Sequence, residues 1–387
     1  MFLSKSKGIG GKLKARPEDF IVEEISEDGT LFQLDQEIQR EGAGRFTHFI
    51  LQKTDWSTSS AILEIAKRLH SGHKRFSYAG TKDKMAITTQ LASAFDIPKE
   101  KLLSLSIKDI KINGAWQAGD KVHMGQLLGN RFTIRPEGAD LDESGIDAIA
   151  SELGGKMPNY FGEQRFGSTR RNTHLVGLEI LKNNLEEACR IFLCDSGGET
   201  NDLAREARKN LEASQDYQAA LKDFPKHLRL ERKMIAHLER SPGDFAGALK
   251  SIPRSTLLLF VHAVQSMLFN RMLSDRLGQG IELEMGEYFC GEKHGFPDIK
   301  LAEAEGWVCG KIIGYSSPLN TRETELLKEY GIGKEDFRIK HMPEIASKGT
   351  YRTLLAPLKD FNYADGIFRF SLPSGSYATV AMKEFMK

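Results

Sequence analysis

Strand-like segments at both ends of the chain enclose a long helix-rich middle, and this order constrains the fold more than any single motif does. Residues 20–25 and 46–51 have the aromatic and β-branched content of strands, with a polar, glycine-containing stretch between them. Residues 57–70 read as a helix. Ser and Thr crowd its start, Ile62, Ile65, Ala66 and Leu69 form an apolar stripe, and Gly72 follows as a stop. Residues 76–79 and 86–95 read as strands on either side of a loop at 80–85. A further strand is expected at 130–135, and a helix at 143–153 ended by Gly154 and Gly155. From about Thr173 the texture changes, with helices predicted over 175–182, 186–193, 202–212, 227–238 and 253–277. Residues 279–345 are mixed and yield no assignment. Strand character returns at 367–372, followed by Pro373, Gly375 and a short β-like end. The pattern predicts one α+β domain with another inserted into it.

At 387 residues, 40% hydrophobic and 28% charged, the chain has enough apolar material for two or three domains. Disorder, collagen and coiled coil are excluded for most of it. The longest apolar run, 257–269, falls short of the roughly 20 residues a bilayer span needs and contains His262, Gln265 and Ser266, so no membrane segment is expected. The N-terminal residues lack the apolar core of a signal peptide. Cys189, Cys194, Cys290 and Cys309 form no CxxC pair and no zinc spacing, which points to a reducing, cytoplasmic setting without structural disulfides.

The net charge is only +1, but its distribution is uneven. Residues 1–16 hold five Lys and Arg with no acid; 65–84 carry a net five positive charges and 156–174 a net three. Separate solvated faces are one reading of these runs, and a phosphate-binding groove is the other.

Four segments could carry chemistry. The first, GTKDKMAITTQ from Gly80, sets Asp83 between Lys82 and Lys84 on the loop. Nearby cations favour the ionised carboxylate, which suits a nucleophile or base and not a general acid. An exposed turn aspartate is the simpler local account. The second, PNYFGEQRFG from Pro158, packs three rings, two carboxamides and a guanidinium into ten residues. Unpaired bases are read by such rings and amides, while Arg takes phosphate; a tight turn with its aromatics in the core would look the same. The third is KARPEDF, ending at Phe20, and the fourth is GSYAT around Tyr377. Each of these two is weak alone. His70 and His73 suit helix capping better than metal. No P-loop, dinucleotide fingerprint, HExxH or GxSxG occurs.

Together and in this order, the four segments resemble the tRNA pseudouridine synthase D (TruD) family, over about residues 14–382. Residues 263–270, AVQSMLFN, also look like that family's inserted domain. The resemblance implies a pseudouridine-synthase α+β fold with a mostly antiparallel central sheet, made of residues 1–184 and 351–387. A helix-rich α/β TRUD domain would be inserted at 185–350, with a cleft able to clamp RNA. It implies an isomerase that converts uridine to pseudouridine in tRNA, typically at position 13, with tRNA as its partner and neither cofactor nor metal. Asp83 falls on the family's catalytic aspartate. Whether that carboxylate attacks the base, attacks the sugar or assists formation of a glycal is left open. Phe20 and Tyr377 match rings lining the uridine site, Asn159 a base-contacting amide, and Lys14 a basic residue paired with the carboxylate. Phe161 is expected under the base, and Gln164 and Arg165 to brace the loop or meet phosphate. Many members carry Phe where this chain has Tyr377, which leaves the hydroxyl in need of a partner if buried. A monomer without an obligate protein partner is expected. The competing readings are an RNA-binding module without chemistry, and base excision that leaves free uracil.

Overall fold

The computed structural model describes residues 1–387 except Leu141 and Ser168. It contains two compact units: 2–159 with 291–301 and 355–387, and Met1 with 160–290 and 302–354.

The first unit is built on an eight-stranded sheet. Its strands are β1 (Phe20–Ile25), β2 (Phe46–Thr54), β3 (Phe76–Tyr78), β4 (Ile87–Phe95), β5 (Ile110–Ala118) and β6 (Gly129–Ile134). A short β7 (Lys156–Pro158) lies outside that sheet. Strands β8 (Tyr288–Lys293), β9 (Phe296–Ala302), β10 (Trp307–Ile312) and β11 (Thr350–Thr353) form a four-stranded sheet; residues 291–301, which hold all of β9 but Ala302, group with the first unit and the rest with the other. Three strands then return to the first unit: β12 (Leu355–Pro357), which pairs with β7, and β13 (Lys359–Ala364) and β14 (Ile367–Pro373). The large sheet runs β13-β14-β6-β1-β4-β2-β5, with β3 on β4. Every pairing in it is antiparallel except β1 with β4. The expected α+β class and mostly antiparallel sheet are therefore present.

Helix α1 (Thr58–Arg68) lays the apolar stripe read from the sequence onto this sheet. Ile62, Ile65 and Ala66 are buried with Phe49, Leu51, Phe76 and Ala92 in one cluster. Ser57 caps the helix by accepting from Ser60 N–H. A short α2 (Lys99–Leu103) and α3 (Glu143–Leu153) complete the N-terminal part, the latter with the bounds expected and Gly154 in the left-handed conformation at its end.

Five of the second unit's helices are α4 (Thr173–Leu181), α5 (Leu185–Cys194), α6 (Asp202–Ser214), α7 (Tyr217–Asp223) and α8 (Arg229–Arg240). They are followed by α9 (Phe245–Lys250), α10 (Arg254–Leu277) and α11 (Thr321–Glu329). Cys189 and Cys194 are buried on α5. The compact unit begins at Tyr160, whereas the sequence reading sets the inserted domain at 185–350. The reason is α4. A Cβ added at Gly177 would stand 2.1 Å from Phe260 O, so this glycine lets α4 lie directly against α10.

Two expectations are corrected. The apolar run at 257–269 belongs to a helix of 24 residues, long and apolar enough to cross a bilayer. The helical spacing predicts it at 253–277; only the apolar run is shorter, and the helix carries the polar residues Gln265 and Arg276 within its buried face. Both are satisfied inside the unit: Gln265 Nε2 donates to Ile313 O (2.7 Å), and Arg276 pairs with Glu287 (2.6 Å). It is the core helix of this unit, with Leu257, Val261, Val264, Leu268 and Met272 buried as its spacing predicts. The second correction is the chain end. It is not β-like but a helix, α12 (Ala378–Met386), whose Ala378, Ala381, Met382 and Phe385 are buried. Phe385 stacks on Phe361 with centroids 5.1 Å apart.

Candidate active site

The parallel pairing of β1 with β4 puts Ile21 beside Ile87. The segments that lead into these strands, KARPEDF and the loop at 80–85, therefore arrive together. Lys14 Nζ lies 2.9 Å from Asp83 Oδ2, with 16% and 32% of the two side chains exposed. The same ammonium sits 4.3 Å from the centroid of Phe20. Lys14 reaches this position with φ of 60°, a left-handed backbone unusual for a long side chain. Beyond it, Arg16 N–H donates to Asp19 Oδ2 (3.1 Å) and turns the chain into β1. The buried Phe20 ring is backed edge-on by Phe132 at 6.1 Å.

Four buried groups fix the loop itself. Gln90 Nε2 donates to Gly80 O (2.8 Å), and Lys82 N–H donates to Thr58 Oγ1 (2.9 Å), whose hydroxyl donates to Gln90 Oε1 (2.8 Å). Lys53 Nζ donates to Asp83 O (2.8 Å). Lys82 Nζ lies 2.6 Å from Glu24 Oε2. The carboxylate of Asp83 is thus presented by a backbone tied at Gly80, Lys82 and Asp83, which is what positioned chemistry requires.

Burial pushes the Lys53 ammonium down to about 8 from its ordinary 10.5, against the pull of Asp83. Below about pH 8 both folded and unfolded chains hold this proton, and the folded state bears the full cost of burying the charge. Between about 8 and 10.5 the unfolded chain holds more protons than the folded one, so this group makes stability rise with pH. Lys53→Met removes the titration. Wild type is therefore expected to gain stability relative to the variant by up to ~3 kcal/mol from pH 8 to 10.5, read as the difference between their urea unfolding curves. A pH-independent difference would sink this account of Lys53.

A second group lies where β14 ends. With β6 between them, β1 and β14 run the same way, and Glu24 and Leu372 stand on either side of Asn130. Five residues beyond Leu372 the half-buried Tyr377 opens α12, its carbonyl accepting from Val380 N–H (2.9 Å). Its neighbour Ser376 donates Oγ–H to Oδ1 of the buried Asn159 at 2.8 Å. The segment from Pro158 and the GSYAT segment are thereby joined.

Phe161, Gln164 and Arg165 fall in the helical unit. Phe161 is buried edge-on against Phe269 (5.6 Å), and the Asn270 side chain clamps its backbone, accepting from its N–H and donating to its carbonyl. The ring expected under the base is thus held in place by its packing within this unit. Arg165 stands 5.3 Å from it, with a buried Nε that has no hydrogen-bond partner among the described residues. Gln164 is exposed on the 3₁₀ turn Glu163–Phe166.

The family model of tRNA pseudouridine synthase D (TruD) matches residues 1–385. The chain belongs to this family. Among relatives named tRNA pseudouridine synthase D, that of Thermococcus sibiricus is 36% identical, with 100% of this chain and 97% of the relative covered. That of Methanococcoides burtonii is 32% identical, covering 100% and 95%. A TruD crystal structure from Methanosarcina mazei superposes with a TM-score of 0.76 at 31% identity, covering 100% of this chain and 95% of that one.

The basic windows of this TruD chain divide once folded. Arg170 turns inward, its guanidinium donating to Phe192 O (2.8 Å) and Asp195 O (3.2 Å) at the end of α5; Arg171 pairs with Glu163 (2.6 Å). Lys82 is consumed by Glu24. Lys5, Lys7, Lys12, Lys67, Lys74 and Lys84 remain exposed. Sequence reasoning missed Glu24 and Lys53. Their signal was present, since each is a charge close behind an apolar run in a strand, FIV in FIVEEI and FIL in FTHFILQKT.

Proposed function

We propose that this protein isomerises uridine to pseudouridine in tRNA, at position 13, with Asp83 as the catalytic carboxylate. The observation that carries the reading is Asp83 itself: a carboxylate paired to Lys14 over the Phe20 ring, on a loop tied down by buried groups. Family membership supplies the reaction class. The isomerisation breaks the bond from N1 to the sugar and forms one from C5. C5 gives up its proton and N1 acquires one, so nothing is consumed.

In this reading the uridine leaves its stack, at a cost of roughly a few kcal/mol, and enters between Phe20 and Tyr377. Asn159, steadied by Ser376, meets the edge of the base. Lys14 pairs with the Asp83 carboxylate and aims it. Gln164 and Arg165 contact RNA from the helical unit.

The test uses unmodified tRNA transcripts with no added cofactor. Pseudouridine at position 13 alone, with no free uracil, is the expected result. Free uracil and an abasic site would make the protein a base-excision enzyme, and tight binding without modification would make it an RNA-binding module.

A further inference from the structure

The segment at 122–128 is bonded to β4, to the residue before the loop of Asp83, to the end of β1 and to the approach to Tyr377. Val122, itself buried, donates its N–H to Ser93 Oγ (2.9 Å). Gly125 N–H donates to Ala79 O (2.7 Å), one residue before the loop of Asp83. Leu128 N–H donates to Ile25 O (3.0 Å), and its carbonyl accepts from Ser374 N–H (2.8 Å), three residues before Tyr377. Between these anchors lies a tight turn. Gln126 N–H donates to His123 O (3.1 Å), His123 N–H donates to Gln126 Oε1 (2.9 Å), and Gly125 has φ of 85°. That is the left-handed third position of a type II turn. Met124 occupies the second position, with 71% of the residue exposed.

A single exposed apolar side chain usually means nothing. Met124 differs because its segment is hydrogen-bonded both to the residue before the loop of the proposed catalytic residue and to the approach to Tyr377. Exposed Lys121 and His123 flank it, and exposed Lys84 stands on the loop itself, groups suited to phosphate. An unbranched, polarisable side chain among Lys121, His123 and Lys84 fits a kinked nucleic-acid strand, where apolar wedges enter between base steps. We infer that Met124 is a positioning residue that fills the RNA stack vacated by the target uridine. The inference rests on the reading that this site acts on a flipped uridine.

The test places 2-aminopurine beside position 13 of the tRNA and follows its fluorescence on binding. In an Asp83→Asn background, which keeps the RNA unreacted, binding is expected to raise the signal. Adding Met124→Ser abolishes the rise, and adding Met124→Leu preserves it, with RNA affinity in both within about threefold of the parent. In otherwise wild-type protein, Met124→Ser lowers kcat for pseudouridine formation about 10- to 100-fold, and Met124→Leu restores it to within about threefold. All variants melt at the wild-type temperature. Equal fluorescence across the Ser and Leu variants overturns the proposal, as does an equal fall in both. If wild type forms no pseudouridine, the proposed reaction is wrong, and the fluorescence of the Ser and Leu variants still decides the wedge.

Discussion

Asp83→Asn is expected to lower single-turnover pseudouridine formation by roughly 10⁴-fold or more, the scale seen when the central group of a catalytic unit is removed, while tRNA affinity is kept or rises. The asymmetry follows from how the residue is held. The loop is anchored through the backbone of Asp83, whose carbonyl accepts from Lys53, and through Gly80 and Lys82. The carboxylate itself is one-third exposed and bonded to the terminal ammonium of Lys14. An isosteric amide therefore leaves the loop in place. It also removes a negative charge from the path of a polyanion and releases Lys14 to phosphate, both of which favour binding. Chemistry is lost because an amide is neither nucleophile nor base. Filter binding and a melting curve accompany the rate measurement. Parallel losses of rate and affinity, or a lowered melting temperature, would make Asp83 a structural residue.

What the sequence revealed depended on how local the cause was. The helix at 143–153 needs only its own stripe and a glycine stop, and it was read with its bounds intact. The strand Ile110–Ala118 escaped notice because Gly114, with φ of 134°, and a register shift in its pairing with β2 break the alternation that betrays a strand. The C-terminal helix was hidden behind Pro373 and Gly375, turn residues that suggested the end of structure.

The site shows the same division. Asp83, Lys14 and Phe20 were legible as a group because each sits in a distinctive segment. That Lys14 meets Asp83 is a consequence of one parallel strand pair, which no local pattern announces. Phe161 and Arg170 show where residue type is ambiguous. Ring and guanidinium are what an RNA site needs, but also what a helical core and a helix end use, and here one packs on Phe269 while the other holds the carbonyls closing α5. Residue type cannot separate those uses.

The network beneath the loop carries the other large effect. Glu24 and Lys82 are 1% and 5% exposed at the side chain, and Glu24 Oε1 also accepts from Leu91 N–H at 3.0 Å. Breaking a buried pair from one side strands the other charge, which typically costs 3–5 kcal/mol. Glu24→Ala is expected to destabilise the sheet unit by about that much and lower its melting temperature by roughly 10 °C. Activity should fall with it, because Lys82 adjoins Asp83 and an unpaired ammonium would draw the loop toward solvent. Glu24→Leu combined with Lys82→Met should recover most of the stability, since a buried pair can be replaced by apolar side chains of similar volume at little net cost. If Glu24→Ala melted like wild type, the pair would not be holding the loop. The double variant then separates two roles that Asp83→Asn cannot. Recovery of stability with activity still depressed would mean that the charges aim the loop, whereas recovery of both would mean that they only fill space beneath it.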